Sequence, residues 1–408
     1  MKPTATSFFL FLILLALPLS GWQRVYSDTN YQGVSSIIPA FDSGYIISGF
    51  SMPSRTSSYE DALLMKIDDD GDVVWSELHG GLIAREKSKG IVISEDYAYA
   101  IALSIDFPSF HGGLLKLDQS GDTLWSKEYH VGHQFTPFDV ISTSDGGYAL
   151  TGWIRYIHSD INSLLFLTIR TDSSGDTLWT RYYGNGNYNY GYSIRQTSDN
   201  GFLICGETRK TSSPYDEDIY IVKISEDGDS VWARTYDLSG SGYYDSAQSM
   251  FLMSGDTAII TGIADWATTT GHSRLFIMCV DETGELLWHN IIGPIDTYSG
   301  GIDIVRSPDS GFVVLGHSFS SATMSNYIWL LKFDEHGDTV WTRKFGEISD
   351  HSEYGFDILA TDDGGYIIAG HTVNLDSDNA DPLVIRVDSM GHHVPSAISE
   401  NPPVPKPE

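Results

Sequence analysis

Beyond residue 21 the apolar residues come in short runs rich in Ile, Val, Tyr and Phe, each closed by a cluster of Gly, Asp, Asn or Ser. One stretch shows the unit in full: "YSIRQT", the turn "SDNG", "FLICGE", a loop, "DIYIVKI", the turn "SEDGD", and "SVWARTY". Runs of this length bounded by turn residues are strands, and pairs of them separated by a short turn are hairpins. The middle hairpin recurs as "STSDGGYALTG", "SPDSGFVVLG" and "TDDGGYIIAG". No run of helical periodicity follows the N-terminal segment. The pattern predicts an all-β chain.

The unit repeats at a fixed period. Aligned on tryptophan, "GDVVW" (Trp75), "GDTLW" (Trp125), "GDTLW" (Trp179), "GDSVW" (Trp232), "GELLW" (Trp288) and "GDTVW" (Trp341) lie 50, 54, 53, 56 and 53 residues apart. Trp22 lies 53 residues before Trp75, and Pro395 occupies the tryptophan slot 54 residues after Trp341. Four short antiparallel strands, A to D, in each period of about 50 residues are the signature of a propeller blade. Seven A–B–C sets begin near Val34, Gly90, Pro137, Tyr190, Ser246, Gly301 and Tyr354, which predicts a seven-bladed β-propeller over 22–395. The chain opens on a D strand at Trp22 and closes on a C strand, "DPLVIRVD". The N-terminal strand is therefore expected to join the last blade and remove two free sheet edges.

The pattern "LxKxDxxGDTLWTRxYG … SDGGYIIAGxT" resembles that of secreted bacterial β-propeller repeat proteins. The resemblance covers about 22–395 and specifies fold far better than activity. In that group a Pro-rich linker commonly precedes a C-terminal sorting domain for secretion. Here the Pro-rich tail 396–408 stops at Glu408, where such a linker would hand over. More distant similarity exists to kelch and quinone-binding propellers, which share the logic of Gly plus Trp on the outer strand.

Composition adds location and narrows the partners. Lys2 precedes an apolar core from Phe8 to Leu17, followed by Pro18, Leu19, Ser20 and Gly21. Residues 1–21 thus read as a secretory signal peptide, too short for a comfortable membrane span. The expected product is a secreted or cell-surface monomer with no membrane span. With 54 acidic against 24 basic residues, the formal net charge is −30. Nucleic acid is excluded as a partner, since it requires a cationic surface. Cys205 and Cys279, both in apolar runs, are read as buried free thiols rather than a disulfide framework.

The repeated residues read as architecture. A tryptophan on each outer strand fills the gap between blades that widens with radius; a ligand cage or quinone stack is the weaker account. Asp68, Asp118, Asp172, Asp281, Asp334 and Asp388 of "DxxGD" lack the spacing of a helix–loop–helix calcium loop and suit hairpin turns. Only "IDDDGD", Asp68–Asp72, gathers several carboxylates. Function is expected on the opposite face, where the B–C and D–A loops differ in every blade and are rich in Tyr, Asn, Ser and Gly. Candidate ligand-binding residues are Tyr188, Tyr190, Tyr243, Tyr244, Tyr298, Tyr354, His317 and His371. Asp139, Asp303 and Asp357, each eight residues before a B-strand glycine, are candidate cation ligands at the channel entrance; no cofactor is specified, and calcium is the one considered. No nucleophile elbow, phosphate loop or zinc spacing is present. The leading expectation is a binding module for an extracellular glycan, protein or matrix. The alternatives are an enzyme working at the channel mouth (a quinone-dependent dehydrogenase or a polysaccharide-acting hydrolase) and a purely structural repeat domain.

Overall fold

Twenty-eight strands in seven four-stranded antiparallel sheets make up the computed structural model of the protein. It describes residues 21–393, apart from 56, 58, 81–85, 107–109, 133, 159–160, 185–187, 210–216, 241, 268–270, 295–296, 321, 347–349 and 378. The signal-peptide expectation for 1–21, all but its last residue, the Pro-rich tail and Pro395 lie outside the described residues. Among the described residues there is no helix.

Blades 1 to 6 each run A–B–C–D in chain order. In blade 4 the strands are Tyr188–Gln196, Phe202–Arg209, Glu217–Ile224 and Ser230–Tyr236. Blade 7 consists of His351–Ala360, Tyr366–Asn374 and Ala380–Val387, completed by Trp22–Val25. That first strand pairs antiparallel with the last, Trp22 opposite Arg386 and Val25 opposite Leu383. Ring closure by the N-terminal strand is as the repeat offset predicts.

Strands B and C are buried along most of their length because neighbouring blades cover both of their faces. Seven apolar clusters occupy the seven seams between blades. Ala149, Phe166 and Tyr183 of blade 3, for instance, pack against Ile194, Phe202, Ile204 and Val222 of blade 4. Outer strands alternate instead, with Leu178 and Val231 exposed to solvent.

The "GDTLW" motif joins blades rather than finishing one. Its glycine takes positive φ, +78° at Gly175, and the Trp125 ring of the preceding blade lies where a Cβ would stand, 2.8 Å from it. Trp179 reaches forward in turn: its Nε1–H donates to the Glu226 carbonyl of blade 4 at 3.0 Å, and the Tyr183 hydroxyl donates to the Gly228 carbonyl at 2.7 Å. The same contacts tie Trp22 and Tyr26, within blade 7, to the turn of blade 1 at Asp69 and Gly71. In each "DxxGD" turn the first aspartate caps the backbone. Asp172 Oδ1 accepts from the N–H groups of Ser174 and Asp176, both at 2.9 Å. Asp68 does likewise with Asp70 and Asp72, so "IDDDGD" is held as a turn.

The "LxKxD" lysine has its own duty on the lower face. Lys116 and Lys223 are buried on strand C and reach Asp96 and Asp199 of the A–B turns at 2.6 and 2.7 Å. Burial alone would raise the Asp199 carboxyl; hydrogen bonds from Lys223, Thr197 and the Gly201 N–H outweigh it and hold the pKa at about 2. Blade 5 changes all three residues together. Cys279, Met253 and Gly255 stand where blade 4 has Lys223, Thr197 and Asp199.

Candidate functional site

Each innermost strand carries, at an equivalent position, a residue that its ladder does not pair; blade 5 has a second at Asp245. The extra residues are Ser35, Lys89, Phe138, Tyr192, Gln248, Ile302 and Phe356, one per blade at equivalent positions. A bulge of this kind bends a strand and re-aims its side chains. All seven residues line the central channel, which encloses a volume of about 400 Å³.

The next residue of each strand forms a belt around this channel, and here lie the three aspartates. Asp139 accepts from the Ile194 N–H of the following blade at 2.9 Å and pairs with Arg195 at 2.8 Å. Asp357 bridges the closing seam, accepting from Ser36 Oγ at 2.5 Å and the Ile37 N–H at 2.8 Å. Asp303 accepts from Ser249 Oγ at 2.6 Å and the Ile358 N–H at 3.2 Å. Asp303 also hydrogen-bonds Asp357, so burial first and the neighbouring carboxylate second push the Asp357 pKa well up. The structure therefore brings the Asp303 and Asp357 carboxyls into contact, while Asp139 is matched with a guanidinium. Among the described residues, neither these aspartates nor His317 and His371 belong to a group of three ligand atoms close enough to share one ion. The calcium expectation gains no ligand set from this geometry. Its physical reason is plain: each carboxylate is already occupied in stitching one blade to the next.

Aromatic and imidazole side chains surround the mouth on the loop-bearing face. Tyr190 and Tyr192 stack nearly parallel, with centroids 6.1 Å apart; Trp153 meets Tyr190 edge-on at 6.2 Å, and Phe138 lies 5.0 Å from Tyr192. Tyr244 meets Trp266 edge-on at 5.0 Å. On the opposite side of the ring Tyr298 lies against His317, and His371 lies between Tyr354 and Phe356. Tyr188 sits two residues above Tyr190 under the Arg209 guanidinium, 3.9 Å from its ring centre. Tyr243 is exposed in the loop before strand A of blade 5. Burial lowers both His317 and His371 to about 4, so each ring is neutral at ordinary pH. The Nδ1 of His371 is buried without a hydrogen-bond partner.

Register explains why these residues meet. The residue after the B-strand glycine is Phe50, Trp153, Glu207, His317 or His371 in blades 1, 3, 4, 6 and 7, and Leu103 follows Ala102 in blade 2. The last three polar ones pair with Tyr190, Gly300 and Tyr354 of strand A. Glu207 is the exception in kind. It is buried at the seam between blades 4 and 5, where Tyr244 donates a short hydrogen bond to it and Ser246 and Tyr192 also bond to it. Desolvation outweighs those bonds and lifts its pKa to about 7. Sequence reading missed Glu207, Tyr192 and Arg195, although Glu207 is visible once the repeats are stacked on their glycines.

No family model and no curated protein matches the sequence. Among solved structures, the chain is similar to an ulvan lyase of polysaccharide lyase family PL25 bound to -[GlcA(1-4)Rha3S]-, with TM-score 0.53 and 10% identity over 90% of this chain and 97% of the other. A protein of unknown function from Dyadobacter fermentans DSM 18053 aligns at TM-score 0.49 and 10% identity, covering 91% and 99% of the two chains. The β-propeller domain of the Trilobed protease from Pyrococcus furiosus aligns at 0.49 and 10%, covering 88% and 94%. At these identities the likeness is one of fold.

Proposed function

We infer that the protein is an exported glycan-binding module whose ligand docks on the aromatic rim of the channel mouth. The observation that carries this reading is the run Trp153–Tyr190–Tyr192–Phe138, which presents ring faces and hydroxyls beside the Glu207 carboxyl. Rigid aromatic side chains supply contact area at low entropic cost, and their polar tips orient a ligand. A formal charge of −30 favours an uncharged glycan over an anionic one.

The test is calorimetric titration with a panel of neutral oligosaccharides, repeated on Tyr190→Ala and Tyr192→Ala. Binding weakened about tenfold per ring, on the order of 1.4 kcal/mol, supports the reading. Unaltered binding in both variants, or none to any glycan, overturns it. One observation favours an enzyme instead: a buried carboxyl titrating near 7 between two tyrosines is poised for acid–base exchange. Glycan cleavage abolished by Glu207→Gln would establish that alternative.

A further inference from the structure

Blade 2 departs from the repeat at three positions that converge on one spot. His111 begins strand C of that blade (His111–Leu117), and Glu128 is the penultimate residue of strand D (Thr123–Tyr129), with His130 just beyond. Glu128 and His130 are two residues apart on one strand and so share a face. Gly112 pairs with Tyr129, which puts His111 directly across from His130, one rung further. No other blade carries these residues there. Gly80, Gly184, Gly293 and Gly346 fill the place of His130, while Asp61, Asp218, Arg274 and Tyr327 are among those in the place of His111. The blade architecture therefore explains none of the three.

Their ligand atoms meet. Glu128 Oε2 lies 3.2 Å from His111 Nε2 and 3.0 Å from His130 Nε2, and all three atoms are within 4.8 Å of one another. The two imidazoles lean together with centroids 4.2 Å apart. His111 is buried, whereas Glu128 and His130 are exposed. A tetrahedral zinc ion bound at about 2.0–2.1 Å to nitrogen and oxygen requires donors roughly 3.3 Å apart. The two carboxylate–imidazole separations, 3.2 and 3.0 Å, are close to that edge length. Two imidazoles and one carboxylate suit a borderline divalent cation and do not suit calcium, which takes oxygen donors.

We propose that His111, Glu128 and His130 form a zinc site at the rim of blade 2, independent of the channel mouth. Three protein ligands leave one tetrahedral position for water or an outside donor. Glu128 also lines a cleft of about 440 Å³ between blades 1 and 2, with Leu78, His79 and Glu86 among its walls.

The experiment is isothermal titration of the chelator-stripped full chain with Zn²⁺. The expected result is one ion per chain, with affinity falling at least tenfold in His130→Ala and in Glu128→Gln. Both side chains are exposed, so both variants fold. His336→Ala, which removes an exposed histidine of a distant turn, keeps the parent affinity. Absence of binding, or equal affinity in the parent and His130→Ala, overturns the site and leaves an ordinary histidine–carboxylate pairing.

Discussion

Replacing Glu207 by Gln tests the reading of the channel mouth through proton linkage. An unfolded glutamate titrates near 4.5, and burial raises Glu207 to about 7 in the folded state. A raised acid pKa means that the folded protein holds the proton more tightly. The group therefore costs nothing below about pH 4.5, and destabilises progressively as pH rises to about 7. Each pKa unit corresponds to about 1.36 kcal/mol, so the full penalty is roughly 3 kcal/mol. Gln retains an acceptor for the Tyr244, Tyr192 and Ser246 hydroxyls and carries no charge. The variant should match the parent at pH 4.5 and exceed it by up to roughly 3 kcal/mol at pH 8. With an unfolding entropy near 0.8 kcal/mol/K for a chain of this size, that is roughly 4 °C in Tm. The difference between the two proteins isolates this one group, because His317 and His371, lowered to about 4, contribute the opposite slope in both. Differential scanning calorimetry at half-unit pH steps is the assay. A parent–variant difference that does not change between pH 4.5 and 8 would refute the assignment.

Two further substitutions probe the architecture. Gly175→Ala and Gly364→Ala both force alanine into positive φ, at a cost of about 1–2 kcal/mol. Only the first also strikes the Trp125 ring, whereas Gly364 has nothing within 4 Å. A larger fall in Tm for Gly175→Ala supports the Trp–Gly clasp, and equal falls would exclude it. Lys223→Met should return the Asp199 pKa from about 2 towards its ordinary 3.8, read by NMR titration. The stability that this lowered pKa confers is present above 3.8 and is lost as pH falls towards 2. An unmoved Asp199 would assign the shift to Thr197 and the Gly201 N–H alone.

The blades were legible because their evidence is local and repeated. Strand runs, turn glycines and a period near 53 residues all sit within one unit, and the offset between Trp22 and "DPLVIRVD" predicted the closing strand. The role of "GDTLW" was only half legible. Its tryptophan was read as rim packing, but the glycine that receives it belongs to the next blade, 46 residues further on for Gly121 and 50 for Gly175. A similar gap explains the aspartates. Asp139, Asp303 and Asp357 look equivalent along the chain, yet their fates depend on what the neighbouring blade offers: Arg195, another carboxyl, or Ser36. The channel bulge left no sequence mark because its seven residues share no chemistry. Glu207 and the His111–Glu128–His130 group were hidden for the opposite reason. They are departures from the repeat, and a reading that seeks recurrence passes over them.

The closing strand also sets the timing of folding during synthesis. Trp22 emerges early and pairs with Arg386, 364 residues further on. At about 5–20 residues per second, that partner arrives roughly 20–70 s later. For most of that interval blade 7 lacks its other three strands, and the nascent array has two open ends. The ring therefore serves as a completeness check, since a chain cut short before Ala380 lacks the strand with which its own first strand pairs.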